Sequence, residues 1–270
     1  MTTPLNPSVI SALILRYLFL YTRGWVRIVE VLFWPIVELL VWGFFSQFMQ
    51  NVGADQDLAY LGAWLIGGMI LWEVTFRAQQ AVAISFLEDV WTRNLLNVFV
   101  APVRAGEYVA AGCGVGVIRV GVTTAVLMVI AQVAYAFDLT ALNVGLLPFF
   151  ANLMLFGWAL GMFSTALILR FGQAAETLAW AVPFMVQPFA CVFYPISELP
   201  AWLQPISKAL PIAHVFEGMR ATLAGSPLPW GTLGLALALN LVYLAAAAAF
   251  YAFILKSVRQ RGLLTKVTSH

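Results

Sequence analysis

Long apolar stretches separated by short polar ones organise this chain. Runs near residues 28–49, 58–81, 108–137, 144–169, 177–193 and 232–255 reach or approach the ~20 apolar residues that a helix needs to cross a hydrocarbon core of ~30 Å. Their continuity, without period-two alternation, predicts helices rather than the strands of a barrel. The expected fold is an all-α integral membrane protein with six transmembrane helices, a single transmembrane domain over residues 1–270. The third run exceeds what a crossing requires, so it tilts or extends beyond the membrane.

Three segments outside these runs are patterned differently. Residues 8–24 form an apolar run too short to span: Asn6 before Pro7 reads as a cap with a first-turn proline, and Gly24 as the stop. No Lys or Arg precedes the run and Arg16 sits inside it, unlike a secretory leader. Arg16 and Arg23, seven apart, share a face, so an interface helix with snorkelling arginines is expected. The second segment, "SFLEDVWTRNLLNVFVAPVRAGE" from Ser85, pairs Ser85 with Glu88 in capping-box spacing and reaches Pro102. It predicts an amphipathic helix over 85–100, with Asp89 and Arg93 at i, i+4 spacing. Such a face is either simply solvated or a docking site.

The third segment, "FYPISELPAWLQPISKALPIAHVFEGMR" from Phe193, carries Pro195, Pro200, Pro205 and Pro211. Each removes a backbone donor, so residues 194–222 are expected as short helices that re-enter the membrane only where protein or water shields the broken backbone. Trp202 suits the headgroup level. Two readings stay open here, a plain interfacial loop and a lid over a transport route.

Composition agrees: 62% of the 270 residues are hydrophobic and 10% charged, well beyond a soluble domain. The formal charge of +2 gives no reason to expect nucleic acid. Position is more informative than the sum. Arg16, Arg23, Arg27, Arg77, Arg93, Arg104, Arg170, Lys256, Arg259, Arg261 and Lys266 fall on one side of the six-span pattern, Lys208 and Arg220 on the other, and Arg119 within a span. The positive-inside rule then puts both termini in the cytoplasm and the 194–222 helices outside.

Candidate chemistry is sparse. The histidines are His214 and His270, and Cys113 and Cys191 lie in apolar surroundings, so no metal cluster or disulfide framework is expected. No Gly-Lys dipeptide occurs, which excludes a Walker A loop, and no catalytic constellation stands out. Glu38, Glu73, Arg77 and Arg119 fall inside spans, where charge is expensive and points to function or to pairing. Glu73 and Arg77 have i, i+4 spacing, and Glu38 and Arg119 reach comparable depths from which they can pair across the bundle. Gly112 with Gly116, and Gly157 with Gly161, give close-packing faces within one chain or between two.

These pieces resemble the permease subunits of type 2 ABC exporters, through "YPISELPAWLQPISKALPIAHVFEGMR" from Tyr194, "EDVWTRNLLNVFVAPVRAGE" from Glu88 and "RGWVRIVEVLFWPIVELLVWGFFSQF" from Arg23. The resemblance implies that the first is an external pair of helices after span five, with Trp202, His214, Glu217 and Arg220 at an outer gate. It makes the second a coupling helix, with Glu88, Asp89, Thr92 and Arg93 meeting an ATPase beside Arg16 and Arg23 of the interface helix. The sequence departs from many members at Trp91, where they have Gly. The resemblance further implies a pair of ATP-binding subunits that supply ATP and Mg, no cofactor on this chain, a second permease copy in a homodimer, and a place in the cytoplasmic (inner) membrane. The cargo would be a glycan, a lipid-linked or a drug-like amphipath moved outward, and the chain would not be an enzyme by itself. Against it stand a proton-coupled secondary transporter using Glu38, Glu73 and Arg119, and a membrane enzyme using Glu217 or His214. The paired repeats typical of secondary carriers are not found.

Overall fold

The computed structural model describes residues 5–22, 24–52, 56–92, 94–137 and 146–261, and no strand occurs among them. Helix α1 (Pro7–Thr22) opens as its sequence dictates, with the Asn6 side chain accepting the Ser8 N–H at 3.0 Å and Pro7 in the first turn. Helices α2 (Trp25–Val52), α3 (Gln56–Trp91), α4 (Leu95–Val100), α5 (Ala105–Tyr135), α6 (Leu146–Phe171) and α7 (Glu176–Ala190) follow. After a 3₁₀ turn at Ile196–Glu198 come α8 (Gln204–Ala209), α9 (Pro211–Leu223) and α10 (Trp230–Gln260).

Among the described residues, four helical segments are long and apolar enough to cross a membrane: Val31–Met49 of α2, α5, α6 and α10. Helix α3 has the length, 36 residues or roughly 54 Å, but mixes charged and amide side chains into its run. Helix α7 has 15 residues, with Pro183 and Pro188 inside it.

Helix α3 is the centre of the bundle. Every residue from Leu65 to Val90 is buried, the mark of a helix wrapped on all sides, with α2, α5 and α6 packed around it. Small residues permit this. A Cβ on Gly157 would lie 2.6 Å from the Thr75 carbonyl oxygen, and one on Gly161 would lie 2.8 Å from that of Gln79. Gly112 and Gly116 of α5 meet Val82 and Ala81 of the same helix. Both glycine pairs therefore serve packing within one chain, on the stretch from Thr75 to Val82. Away from it, Asn240 of α10 donates to the carbonyl oxygen (3.0 Å) and side-chain oxygen (2.9 Å) of Asn152 on α6.

One expected boundary is wrong. No helix starts at Ser85. Its hydroxyl instead donates 2.6 Å to the Ala81 carbonyl, one turn back inside α3, so it is not a cap. The helix ends at Trp91, Thr92 and Asn94 close it through the Glu88 and Asp89 carbonyls, and the separate α4 stops before Pro102. The expected single helix over 85–100 is the end of one element and the whole of another.

Candidate functional site

Polar chemistry gathers at the two ends of α3. At the C-terminal end the centre is Asp89, whose side chain is fully buried. One carboxylate oxygen pairs with the Arg16 guanidinium, and the other accepts the Tyr17 and Tyr108 hydroxyls, each at 2.8 Å. The residue joins α1, α3 and α5 at a point. Burial, with the Asp89 carboxylate beside it, pushes the Tyr17 phenol far up, so it remains a donor. Nearby, Glu107 accepts the Asn6 and Arg104 backbone N–H groups, both at 2.9 Å, tying the start of α5 to the start of α1.

Around this buried knot the surface is open. Trp91 and Thr92 are exposed, as are Asn97, Val100, Ala101 and Pro102, with Val100 at 86%. Trp91 donates 3.2 Å to Glu176 at the start of α7. Of the six residues assigned to coupling, Thr92 alone is exposed among those described; Glu88 and Asp89 are buried and Arg16 is turned inward to Asp89. Arg23 and Arg93 lie outside the described residues.

In the middle of α3, Arg77 donates to Glu73 at 2.7 Å and to the Gln80 side-chain oxygen at 3.2 Å. Half-buried Glu38 of α2 has Glu73 and Arg77 as charged neighbours. Arg119 is half-buried on α5. Gln79 crosses to the Ser164 hydroxyl (3.1 Å) and the Ala179 carbonyl (2.9 Å), linking α3 to α6 and α7.

At the N-terminal end, the proline-broken segment folds back into the bundle. Ile212, Val215, Phe216 and Met219 of α9 are fully buried, while Trp202 is 74% exposed. Pro205 and Pro211 sit in the first turns of α8 and α9, where no donor is missed. Arg220 donates 2.7 Å to the Cys191 carbonyl and 2.8 Å to Glu217, and its guanidinium lies 5.0 Å from the centre of the Trp64 ring. Glu217 also accepts the Ile196 N–H at 2.8 Å, and the His214 ring is 2.8 Å from the Lys208 carbonyl. Glu217 and Arg220 are thus brought together.

Sequence reasoning missed Tyr17, Tyr108, Asn152 and Asn240. The asparagines were detectable as amides inside apolar runs. The tyrosines carry no such signal. Among the described residues no group of three or more His, Cys, Asp or Glu is placed to hold a metal.

With this geometry in place, residues 9–224 match the family model described as ABC-2 type transporter. The chain is also similar to the inner membrane transport permease YadH of Escherichia coli (strain K12), and to the protein of that name from Shigella flexneri. Each is 27% identical over 213 residues, covering 74% of this chain and 77% of the relative.

Proposed function

This chain belongs to the ABC-2 type transporter family, and on that premise we propose that it is the membrane half of an ATP-driven exporter in the cytoplasmic (inner) membrane. It moves an amphipathic glycan, lipid-linked or drug-like substrate outward. ATP and Mg are handled by a separate pair of ATP-binding subunits, since the sequence has no phosphate loop. Helices α3 and α7 complete a six-span topology with the four apolar segments, both termini cytoplasmic and α8 and α9 outside.

The observation that carries this reading is the buried knot at Asp89 beneath an exposed apolar edge. A partner pressing on Trp91, Val100 and Pro102 meets α3, α1 and α5 fastened together, so that force enters the bundle rather than bending a loop. The coupling surface in this reading is α4 and its flanks, with Asp89 and Arg16 as the fastening behind it. A second copy lies across α2 and α7, whose Phe33, Trp34, Phe44, Phe184 and Met185 are exposed. Glu38 then borders the route between copies.

The test is ATP turnover by the permease purified with its cognate ATPase. Turnover linked to transport is expected in the complex and none from the permease alone. Val100→Asp should abolish transport while the permease still folds and inserts. Wild-type transport by Val100→Asp and Trp91→Ala together would overturn the assignment of this edge. Proton flux that follows Glu38 without any ATPase would instead make the chain a secondary carrier.

A further inference from the structure

Around Glu38 of α2 the charges do not balance. Its charged neighbours are Glu73 and Arg77 of α3, so two carboxylates stand against one guanidinium. That guanidinium is already committed, donating 2.7 Å to Glu73 and 3.2 Å to the Gln80 side-chain oxygen. Arg119 of α5 is not among the groups that act on Glu38, and among the described residues no hydrogen bond or ion pair reaches its carboxylate. Depth sharpens the imbalance. Leu40 is the middle of the apolar segment Val31–Met49, and Glu38 stands two residues from it. A carboxylate at mid-span is expensive unless a partner or water meets it, and this one is half-buried, within reach of either.

The groups that flank this carboxylate are aromatic. Trp34 and Trp42 lie one turn to either side of it along α2, Trp34 exposed and Trp42 stacked on Phe193 at 4.2 Å. Helices α2 and α7 both pack on α3, and Phe76, next to Arg77, meets the exposed Phe184 of α7 with ring centres 5.3 Å apart. Such a setting disfavours a metal ion, which needs several oxygen ligands; among the described residues no group of three or more His, Cys, Asp or Glu is placed to hold one. It suits an organic cation, whose charge is attracted by a carboxylate and by aromatic faces alike.

We propose that Glu38 selects amphipathic organic cations as the cargo, molecules that join an ammonium or a similar centre to an apolar body. The carboxylate meets the charge and the exposed rings of α2 and α7 take the body. The Glu73 and Arg77 pair keeps its own bond and adds no net charge, so the single negative charge left over decides the sign of what is accepted. Anionic amphipaths are repelled for the same reason. A proton would answer the charge but would leave the aromatic faces uncovered. The inference rests on the transport reading, in which the α2 and α7 faces border the route, and it narrows the cargo of that reading to one class.

The experiment measures equilibrium binding of radiolabelled tetraphenylphosphonium to the full-length protein in phosphatidylcholine nanodiscs, with tetraphenylborate as the anion of the same shape. Wild type should show saturable binding of the phosphonium and none of the borate. Glu38→Gln should weaken phosphonium binding by at least about tenfold, as for the loss of a desolvated charge partner, and leave uptake of the borate unreduced. Wild type without a saturable phosphonium site overturns the proposal before any variant has to fold. So does equal phosphonium affinity in Glu38→Gln, which would leave the carboxylate to a proton, or an equal loss of both ions, which would make its role structural. A second arm adds the cognate ATPase, whose turnover the phosphonium should stimulate in wild type and not in Glu38→Gln. Stimulation by the borate as strong as by the phosphonium overturns the cationic assignment and leaves the transport reading standing. Binding that depends on Glu38 without any turnover upholds the site and overturns the transport reading instead.

Discussion

The anchors at Asp89 and at Arg220 lie at opposite ends of α3, roughly 37 Å apart measured from Trp64 to Asp89 along the helix. At the first, a buried carboxylate collects donors from side chains: a guanidinium from α1 and two phenols, one from α1 and one from α5. At the second, a buried guanidinium serves the backbone, reaching the Cys191 carbonyl, while its partner Glu217 takes the Ile196 N–H. Cys191 adopts a left-handed conformation (φ 54°) at the end of α7, so the polar groups being satisfied are those that a broken helix leaves behind. One ion pair fastens separate helices to each other. The other repairs an interruption that prolines create, as membrane proteins require wherever backbone is irregular at depth.

This contrast can be broken by mutation. The largest effect is expected from Asp89→Ala, which removes the carboxylate shared by the half-buried Arg16 guanidinium and the buried Tyr17 and Tyr108 phenols and should cost about 3–5 kcal/mol. Unfolding in detergent would read it, with Asp89→Asn losing less because an amide oxygen still accepts. A wild-type midpoint for Asp89→Ala would reduce the knot to decoration. Arg220→Met should cost less, about 1.5–3 kcal/mol, because Glu217 is one-third exposed and water can take its place. Its distinctive sign is local: hydrogen exchange should rise over residues 191–198 and not around α1.

Between the anchors α3 is held by close packing as well as by the Gln79 hydrogen bonds to Ser164 and Ala179, and Gly157→Ala probes the packing directly. The added methyl meets the Thr75 carbonyl oxygen at 2.6 Å and Ala78 at 2.7 Å, whereas Gly121→Ala on α5 meets nothing within 4 Å. The first should destabilise by roughly 1–3 kcal/mol and the second should be neutral or slightly favourable. Equal behaviour of the two would show that α3 and α6 are not in close contact. The smallest effect concerns pH. The Tyr17 phenol is pushed up from 10.0 by burial and by Asp89. Above that pH the unfolded chain releases the proton and the folded one keeps it, so stability should fall as pH rises beyond about 10. Tyr17→Phe should flatten that decline in an alkaline melting series, and an identical slope would place the phenol in water.

Hydropathy made the long helices legible, because a crossing helix advertises itself residue by residue. The start of α1 was equally readable, since Asn6 and Pro7 are local signals. So was the breaking of the chain between Pro195 and Pro211. Ser85 misled because a capping box is also a local pattern, and it cannot register that α3 began at Gln56. Asp89 was read with Arg93, four residues away, but its partner Arg16 is 73 positions distant. Pairing across such a separation depends on how helices pack, and single-chain periodicity carries no record of it. The convergence of both glycine pairs on one stretch of α3 was hidden for the same reason.

From Met69 to Trp91 the sequence of α3 contains neither glycine nor proline. Sharp kinks in helices arise chiefly at those residues, so this stretch of roughly 34 Å behaves as a stiff beam. Its softest point is the Gly67 and Gly68 pair, where a Cβ on Gly68 would come within 2.9 Å of the Val192 carbonyl oxygen. If, as proposed, a partner presses near Trp91, the push would reach the far end as a tilt about that pair rather than as compression along the axis. The Val192 carbonyl that lies against Gly68 is next in the chain to the Cys191 carbonyl that Arg220 holds.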